Sequence, residues 1–278
     1  MAKRGYTDIT ILLDRSGSMS SRRDDTIGGL KTFVEEQQRL SALLKTNEPD
    51  LPGEASLTFC QFDHEFDTVF SALPLPQVKI DPATYVPRGN TALFDAIARC
   101  VGNTVTRLGA LPKAEQPEKV IFVIITDGQE NASREVTGEA VKDLVELQKK
   151  AGVEFIFLGA NIDAFAAGAQ VGMRGAQFTA NAAGIGASYG YTSALIGSSR
   201  MGSAGRVDAD ALYGSLCTSG AVDDQNAVRG VAAFQAMVGT PAASSSVLVD
   251  ATGTPFMVSK KAEPEVLGKK AKRPSKRV

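Results

Sequence analysis

Three oxygen-bearing side chains stand at alternate positions in Asp14-Arg15-Ser16-Gly17-Ser18. They follow the apolar residues Ile9, Ile11, Leu12 and Leu13, so the acid falls where a strand ends and a loop begins. Gly17 lets the loop curl, and the alternate spacing then turns a carboxylate and two hydroxyls toward one point. Such donors suit a hard cation: Mg²⁺ takes oxygen ligands in near-octahedral geometry and keeps some of its waters. Taken alone, the stretch leaves three readings open. It is a strand-end turn, a metal site, or a degraded aspartyl-phosphate motif whose usual second acid is replaced here by Ser16.

Two more pieces lie far along the chain. In Arg88-Gly89-Asn90-Thr91 a pair of turn formers precedes Leu93, Ile97, Cys100, Val101, Val105 and Leu108, which recur at helical spacing. Thr91 therefore opens a helix, where a hydroxyl serves either as a cap or as a ligand. Asp127-Gly128 closes the unbroken apolar run 120–125, which reads as a strand covered on both faces. Asp95, one turn after Thr91, reads as a plain helix-surface acid. His64 in Asp63-His64-Glu65 reads as a solvated turn residue.

The elements that must position these residues alternate along the chain. Strands are expected at 6–13, 56–62, 66–70, 120–125, 153–158 and 176–179. Helices are expected at 26–44, from 93 onward, and at 136–150, 163–171 and 187–199. Residues 74–87 carry four prolines and read as an irregular connection. Strand–helix alternation predicts an α/β fold with a mainly parallel sheet, in which ligands bind beyond the carboxyl ends of the strands. Asp14 and Asp127 both sit at such ends.

Together, Asp14-x-Ser16-x-Ser18, Thr91 before a helix and Asp127-Gly128 after a buried strand resemble the von Willebrand factor A family and its metal-ion-dependent adhesion site. The resemblance spans residues 5–200. It implies a doubly wound six-stranded sheet with one short antiparallel strand, for which 66–70 is the candidate. It also implies that Ser16, Ser18 and Thr91 bind Mg²⁺ directly, with Mn²⁺ or Ca²⁺ as alternatives. Asp14 and Asp127 would bind directly or through water. An open position on the ion would accept an Asp or Glu from a protein partner, so the implied activity is binding rather than catalysis.

Composition narrows the rest. The 278 residues carry a net charge of −1, which points to no nucleic-acid or membrane field. Residues 259–278 hold eight Lys/Arg against two Glu, and read as a basic disordered tail. With no interleaved aromatics, that tail offers no base-stacking platform, which argues against nucleic-acid contact. Residues 201–258 read as a small α+β appendage to a domain at 1–200. Three cysteines without a CxxC pair suit a reducing compartment better than a disulfide scaffold or zinc site. No leader or membrane span is apparent, so a cytoplasmic location is expected, with a virion as the alternative.

An enzyme reading finds little support. Gly186-Ala187-Ser188-Tyr189-Gly190 matches GxSxG, but the single histidine, His64, lies upstream of it rather than downstream. Glycines 184, 186 and 190 miss the dinucleotide spacing, and no phosphate-binding GxxxxGK[ST] loop exists. Asn131-Ala132-Ser133 matches a glycosylation sequon by chance. What the family resemblance implies is a bacterial or phage adaptor, non-enzymatic, with a MoxR-type AAA+ ATPase as one partner. The alternative is a virion attachment component that uses the domain as a scaffold.

Overall fold

Residues 7–14 are buried without interruption, which makes β1 (Lys3–Asp14) a central strand. The computed structural model describes residues 2–47, 53–160, 164–173, 175–178 and 182–201. Around β1 lie β2 (Ala55–Phe62), β3 (Phe66–Pro74), β4 (Pro117–Thr126), β5 (Glu154–Ala160) and β6 (Gly175–Phe178). Their order across the sheet is β3-β2-β1-β4-β5-β6. β3 pairs antiparallel to β2, and every other pairing is parallel.

The helices are α1 (Arg23–Asn47), α2 (Leu93–Gly109), α3 (Gly138–Lys150), α4 (Ala164–Gln170) and α5 (Ala182–Met201). Within the apolar strands alternate residues serve opposite faces, as a period of two requires. Leu12, Phe122, Ile124 and Phe157 join a core with α2 and α3. Ile11, Leu13, Val123 and Ile125 join a second core with α1 and α5. Helices thus cover both faces, and the chain leaves β1 toward β2 on one side while β4 lies on the other. That reversal of strand order opens a crevice at the carboxyl ends of β1 and β4.

The expected α/β class and the antiparallel strand at 66–70 agree with this sheet. Several boundaries differ. β1 and β4 start three residues early because Lys3 already pairs with Pro117, although both polar ends lie outside the apolar run. α3 begins at Gly138, not 136: Thr137 is its N-cap, with its hydroxyl accepting from the Ala140 N–H at 3.3 Å. Val136, just outside, shares a core cluster with Val141, the arrangement of a hydrophobic staple. Residues 74–87 are less irregular than expected, since Leu75–Gln77 and Pro82–Thr84 form short 3-10 turns.

α5 starts five residues before the expected 187, so the GxSxG segment lies inside a helix. Ser188 is buried and donates to the Ile185 carbonyl at 2.8 Å, which removes it as an exposed nucleophile. The expected appendage at 201–258 and the tail at 259–278 lie outside the described residues, save Met201 at the end of α5. Among the described residues, no helix is long and apolar enough to cross a membrane.

α1 and α5 meet through the Tyr189 ring, which lies against the α1 backbone at Gly29. A Cβ there would stand 2.2 Å from Tyr189 Cδ2, whereas a Cβ on the adjacent, exposed Gly28 would meet nothing within 4 Å. The two glycines thus have opposite reasons to be tested. Gly28→Ala should raise the unfolding free energy by about 0.5–1 kcal/mol through helix propensity. Gly29→Ala should lower it by about 1–3 kcal/mol through overpacking. Urea unfolding of the two variants beside the parent checks both signs.

Candidate metal centre

Register places the first ligands. Asp14 is paired with Phe62 across β2, and Leu13 with Ile125 across β4, so Asp14 stands level with Thr126. Asp14 is fully buried. Its Oδ2 accepts from the Thr126 hydroxyl at 2.6 Å, and its Oδ1 accepts from the Ser16 N–H at 2.6 Å. The Tyr85 hydroxyl donates to the Asp14 carbonyl oxygen at 2.8 Å, fixing the backbone from the other core. Burial is the largest influence on this carboxyl and pushes its pKa from 3.8 up to about 6. The hydrogen bonds from Thr126 and Ser16 oppose the rise, and the nearby Asp127 charge adds to it.

After Asp14 the chain turns through a 3-10 segment, Gly17–Arg22. Ser16 Oγ and Ser18 Oγ come within 3.0 Å of each other, and the Ser18 hydroxyl donates to Asp127 Oδ1 at 2.5 Å. Asp127 Oδ2 accepts from the Arg22 guanidinium. A methyl group built on Gly128 would lie 2.6 Å from Thr91 Oγ1, 3.3 Å from Asp14 Oδ2 and 3.5 Å from Ser16 Oγ. Three oxygens from two separate loops therefore face Gly128, in a third, at a place that only a residue without a side chain leaves open. Ser18 and Asp127 border it through the hydrogen bonds just given. All five residues singled out in the sequence are brought together.

The donor set, two carboxylates and three hydroxyls, is that of a hard divalent cation rather than of zinc in a Cys/His cage. With no side chain at Gly128, nothing from that residue crowds the oxygens of Thr91, Asp14 and Ser16 that such an ion would use. The residues present therefore fit the group that the sequence resemblance implies.

Thr91 is not the cap of α2. The N-cap position is Ala92, without a side-chain hydrogen bond. The work falls to the loop after β4: the Phe94 N–H donates to Glu130 Oε2 at 3.0 Å, and Ser133 Oγ accepts from Phe94 and Asp95 N–H at 3.0 and 3.1 Å. Thr91's own backbone is held by Asn131, whose Oδ1 accepts the Thr91 N–H at 2.9 Å and whose N–H donates back at 3.0 Å. Its hydroxyl is left to face the Gly128 space. The Asn131-Ala132-Ser133 stretch, a chance sequon in the sequence, thus supplies four of these five structural contacts.

Asp95 corrects another expectation. Rather than a free surface acid, its carboxylate accepts the backbone N–H groups of Arg134, Glu135 and Val136 at 2.7, 3.0 and 2.8 Å. It ties the Asp127 loop to the first turn of α2, just after Thr91. Nothing local to Asp95 signals this role, because the partners lie about forty positions away.

Asp63, in the same turn as His64, has a structural role that its position in a polar turn does not suggest. It is fully buried, and its Oδ2 takes Arg15 Nε at 3.1 Å and Arg88 Nε at 2.8 Å. Its carbonyl accepts from the Ala92 N–H at 2.8 Å. This one residue joins the Asp14 loop, the Thr91 loop and the β2–β3 turn. Ligand-type atoms of Asp63, His64 and Glu65 also lie within 4.8 Å of one another. Asp63 is already committed to two arginines and the Glu65 N–H (2.6 Å), so we read this group as a brace. His64 is half-exposed in its turn, as expected, and its ring rests over Gly89, where φ is +68° and a Cβ would collide.

No protein-family model matches the chain, and no curated protein matches it. Solved structures are similar to it. The pilus adhesin SpaC from Lactobacillus rhamnosus GG aligns with a TM-score of 0.50 at 14% identity, over 70% of this chain and 31% of SpaC. Proximal thread matrix protein 1 from the mussel byssus gives 0.45 at 16% identity, over 69% of this chain and 46% of that protein. The vWF domain of the type V pili tip protein Mfa5 from Porphyromonas gingivalis gives 0.45 at 11% identity, over 68% of this chain and 94% of that one. The chain thus spans less than half the length of SpaC and of the mussel protein. At 14% identity the likeness to SpaC is one of fold alone.

Two outcomes follow from the geometry. Gly128→Ala should weaken Mn²⁺ binding by at least about tenfold while the far-UV circular dichroism spectrum is retained, because the methyl occupies the space among the oxygens. Proton competition gives the second. Asp14's pKa of about 6 stands above its ordinary 3.8, so the group favours the fold when protonated, and that contribution is lost as pH rises from about 4 to 6. A cation needs the ionised form. Mg²⁺ affinity measured by calorimetry should be flat above about pH 7 and fall by up to about tenfold per unit below pH 6.

Proposed function

We propose that the chain is a metal-dependent protein-interaction module, in which Asp14, Ser16, Ser18, Thr91 and Asp127 hold a Mg²⁺ that engages a carboxylate of a partner protein. The observation that carries this reading is the convergence of Thr91, Asp14 and Ser16 oxygens on the space above Gly128. Each role follows from the residue's surroundings. Ser16 and Thr91 are buried hydroxyls that contribute oxygen without charge, while the two aspartates supply the negative charge that attracts the cation. Ser18 is exposed and stands at the rim, where an incoming group would pass. When bound, the cation supplies a positively charged coordination position for an anionic oxygen ligand.

Hydroxyl-rich coordination favours this use over a purely structural ion. A cage of four carboxylates would overcompensate a divalent cation and repel a further anion. Here two carboxylates face three neutral oxygens, and Arg22 offsets part of the charge on Asp127. The reading stands on the site and not on the fold, because one fold hosts many functions. The kind of partner we favour is a protein presenting an exposed Asp or Glu to an adaptor of bacterial or phage origin, and a MoxR-type AAA+ ATPase is one candidate for it.

A peptide array varying a single exposed Asp or Glu tests the proposal. Captured peptides should all carry an acid, and capture should need Mg²⁺. It should be lost with EDTA, with Asp→Asn in the peptide, and with Ser16→Ala in the protein. Capture that survives both EDTA and Ser16→Ala would sink the reading.

A further inference from the structure

Arg22 was no part of the motif, yet its guanidinium reaches the heart of the site. Nη1 donates to Asp127 Oδ2 and also to the Ser18 carbonyl oxygen, at 3.1 Å for the latter. Both acceptors belong to residues of the proposed cation site. The pair is well shielded: the Asp127 side chain is 1% exposed and that of Arg22 is 19% exposed. The arginine is the last residue of the 3-10 segment Gly17–Arg22, so its backbone is fixed by the same turn that presents Ser16 and Ser18. Together with Met19, Ile125 and Tyr189 it lines a small apolar cavity.

This arrangement has two opposed consequences. Asp14 and Asp127 are both buried, and they lie close enough for the Asp127 charge to oppose ionisation of Asp14. A fixed guanidinium relieves that repulsion and so supports the fold. The same guanidinium occupies an oxygen of Asp127 and adds a positive charge beside the space where a divalent cation would sit. A surface salt bridge would be too weak to matter, but a shielded pair with a second anchor is not in that class.

We infer that Arg22 competes with the cation for Asp127 and so sets how tightly the site holds it. The inference rests on the metal-binding reading proposed above. Arg22 is then a built-in counter-cation: it lowers affinity, and occupancy of the site responds to the free concentration of the ion instead of being permanent. A magnesium-responsive contact with an acidic partner is the functional result.

Calorimetric titration of Mn²⁺ into the full chain, beside Arg22→Gln and Arg99→Gln, decides the matter. Arg99 is an exposed arginine on α2 that pairs with Glu135. Arg22→Gln should bind about tenfold tighter, a change equivalent to about 1.4 kcal/mol. Arg99→Gln should stay within about twofold, since exposed charges at a distance are screened. Unchanged or weaker binding by Arg22→Gln overturns the inference, and so does an equal gain in Arg99→Gln, which would mark a general charge effect. If the parent chain binds no cation, the metal-binding reading falls and this one with it. Should Arg22→Gln fail to fold, the Arg22 Nε–H resonance of the parent gives the answer: Mg²⁺ should shift it, and an unmoved resonance at saturation overturns competition.

Discussion

Two carboxylates, Asp14 and Asp127, are held in a shielded place at the carboxyl ends of neighbouring strands. Burying charge of one sign is costly unless every oxygen finds a donor. The structure meets this with the Ser16 N–H and Thr126 hydroxyl on Asp14, and the Ser18 hydroxyl and Arg22 on Asp127. Even so, Asp14 remains a reluctant anion, with its pKa at about 6. The site is therefore under electrostatic tension that a divalent cation would relieve. A site made comfortable without the ion would have little free energy left to attract one.

Around that centre the loops are held by acids of a different kind. Asp63, Asp95 and Glu130 each accept backbone N–H groups, Asp63 and Asp95 at a loop turn and Glu130 at the start of α2. Asp63 also collects Arg15 and Arg88, so one buried carboxylate sets the spacing between the Asp14 and Thr91 loops. Charge-assisted bonds to backbone amides are short and directional, which suits them to holding irregular chain in place. Thr91 illustrates the outcome. Because Glu130 and Ser133 cap α2, and Asn131 holds the Thr91 backbone, the threonine hydroxyl is released from the role that helix starts usually give it.

Much of this was legible along the chain, and what was not has a common cause. The five oxygen-bearing residues could be found because each follows a strand or opens a helix, and those contexts are written locally in apolar periodicity. The α/β class and the antiparallel β3 followed for the same reason. Asp95, Asp63, Tyr85 and Arg22 escaped because their partners are 25 to 105 residues distant and their own neighbourhoods resemble ordinary surface or turn. The start of α5 was misplaced by its glycines. Gly184 and Gly186 look like breakers in isolation, but tertiary packing of Ile185 and Tyr189 into the core overrides their propensity.

Strand register ties these observations together. Asp14 meets Thr126 because β1 and β4 run parallel with Leu13 opposite Ile125. The same pairing sends Leu12 and Ile124 to one core and Leu13 and Ile125 to the other. A slip of one residue would exchange the two faces and carry Asp14 away from Thr126, so the apolar pattern that fixes the cores also fixes the site. β2 adds the second constraint: Phe62 opposite Asp14 brings the Asp63 turn directly above, and from there the Ala92 N–H and the start of α2. Ligand geometry is thus inherited from hydrophobic packing at the middle of the sheet. Gly128 only has to stay out of the way.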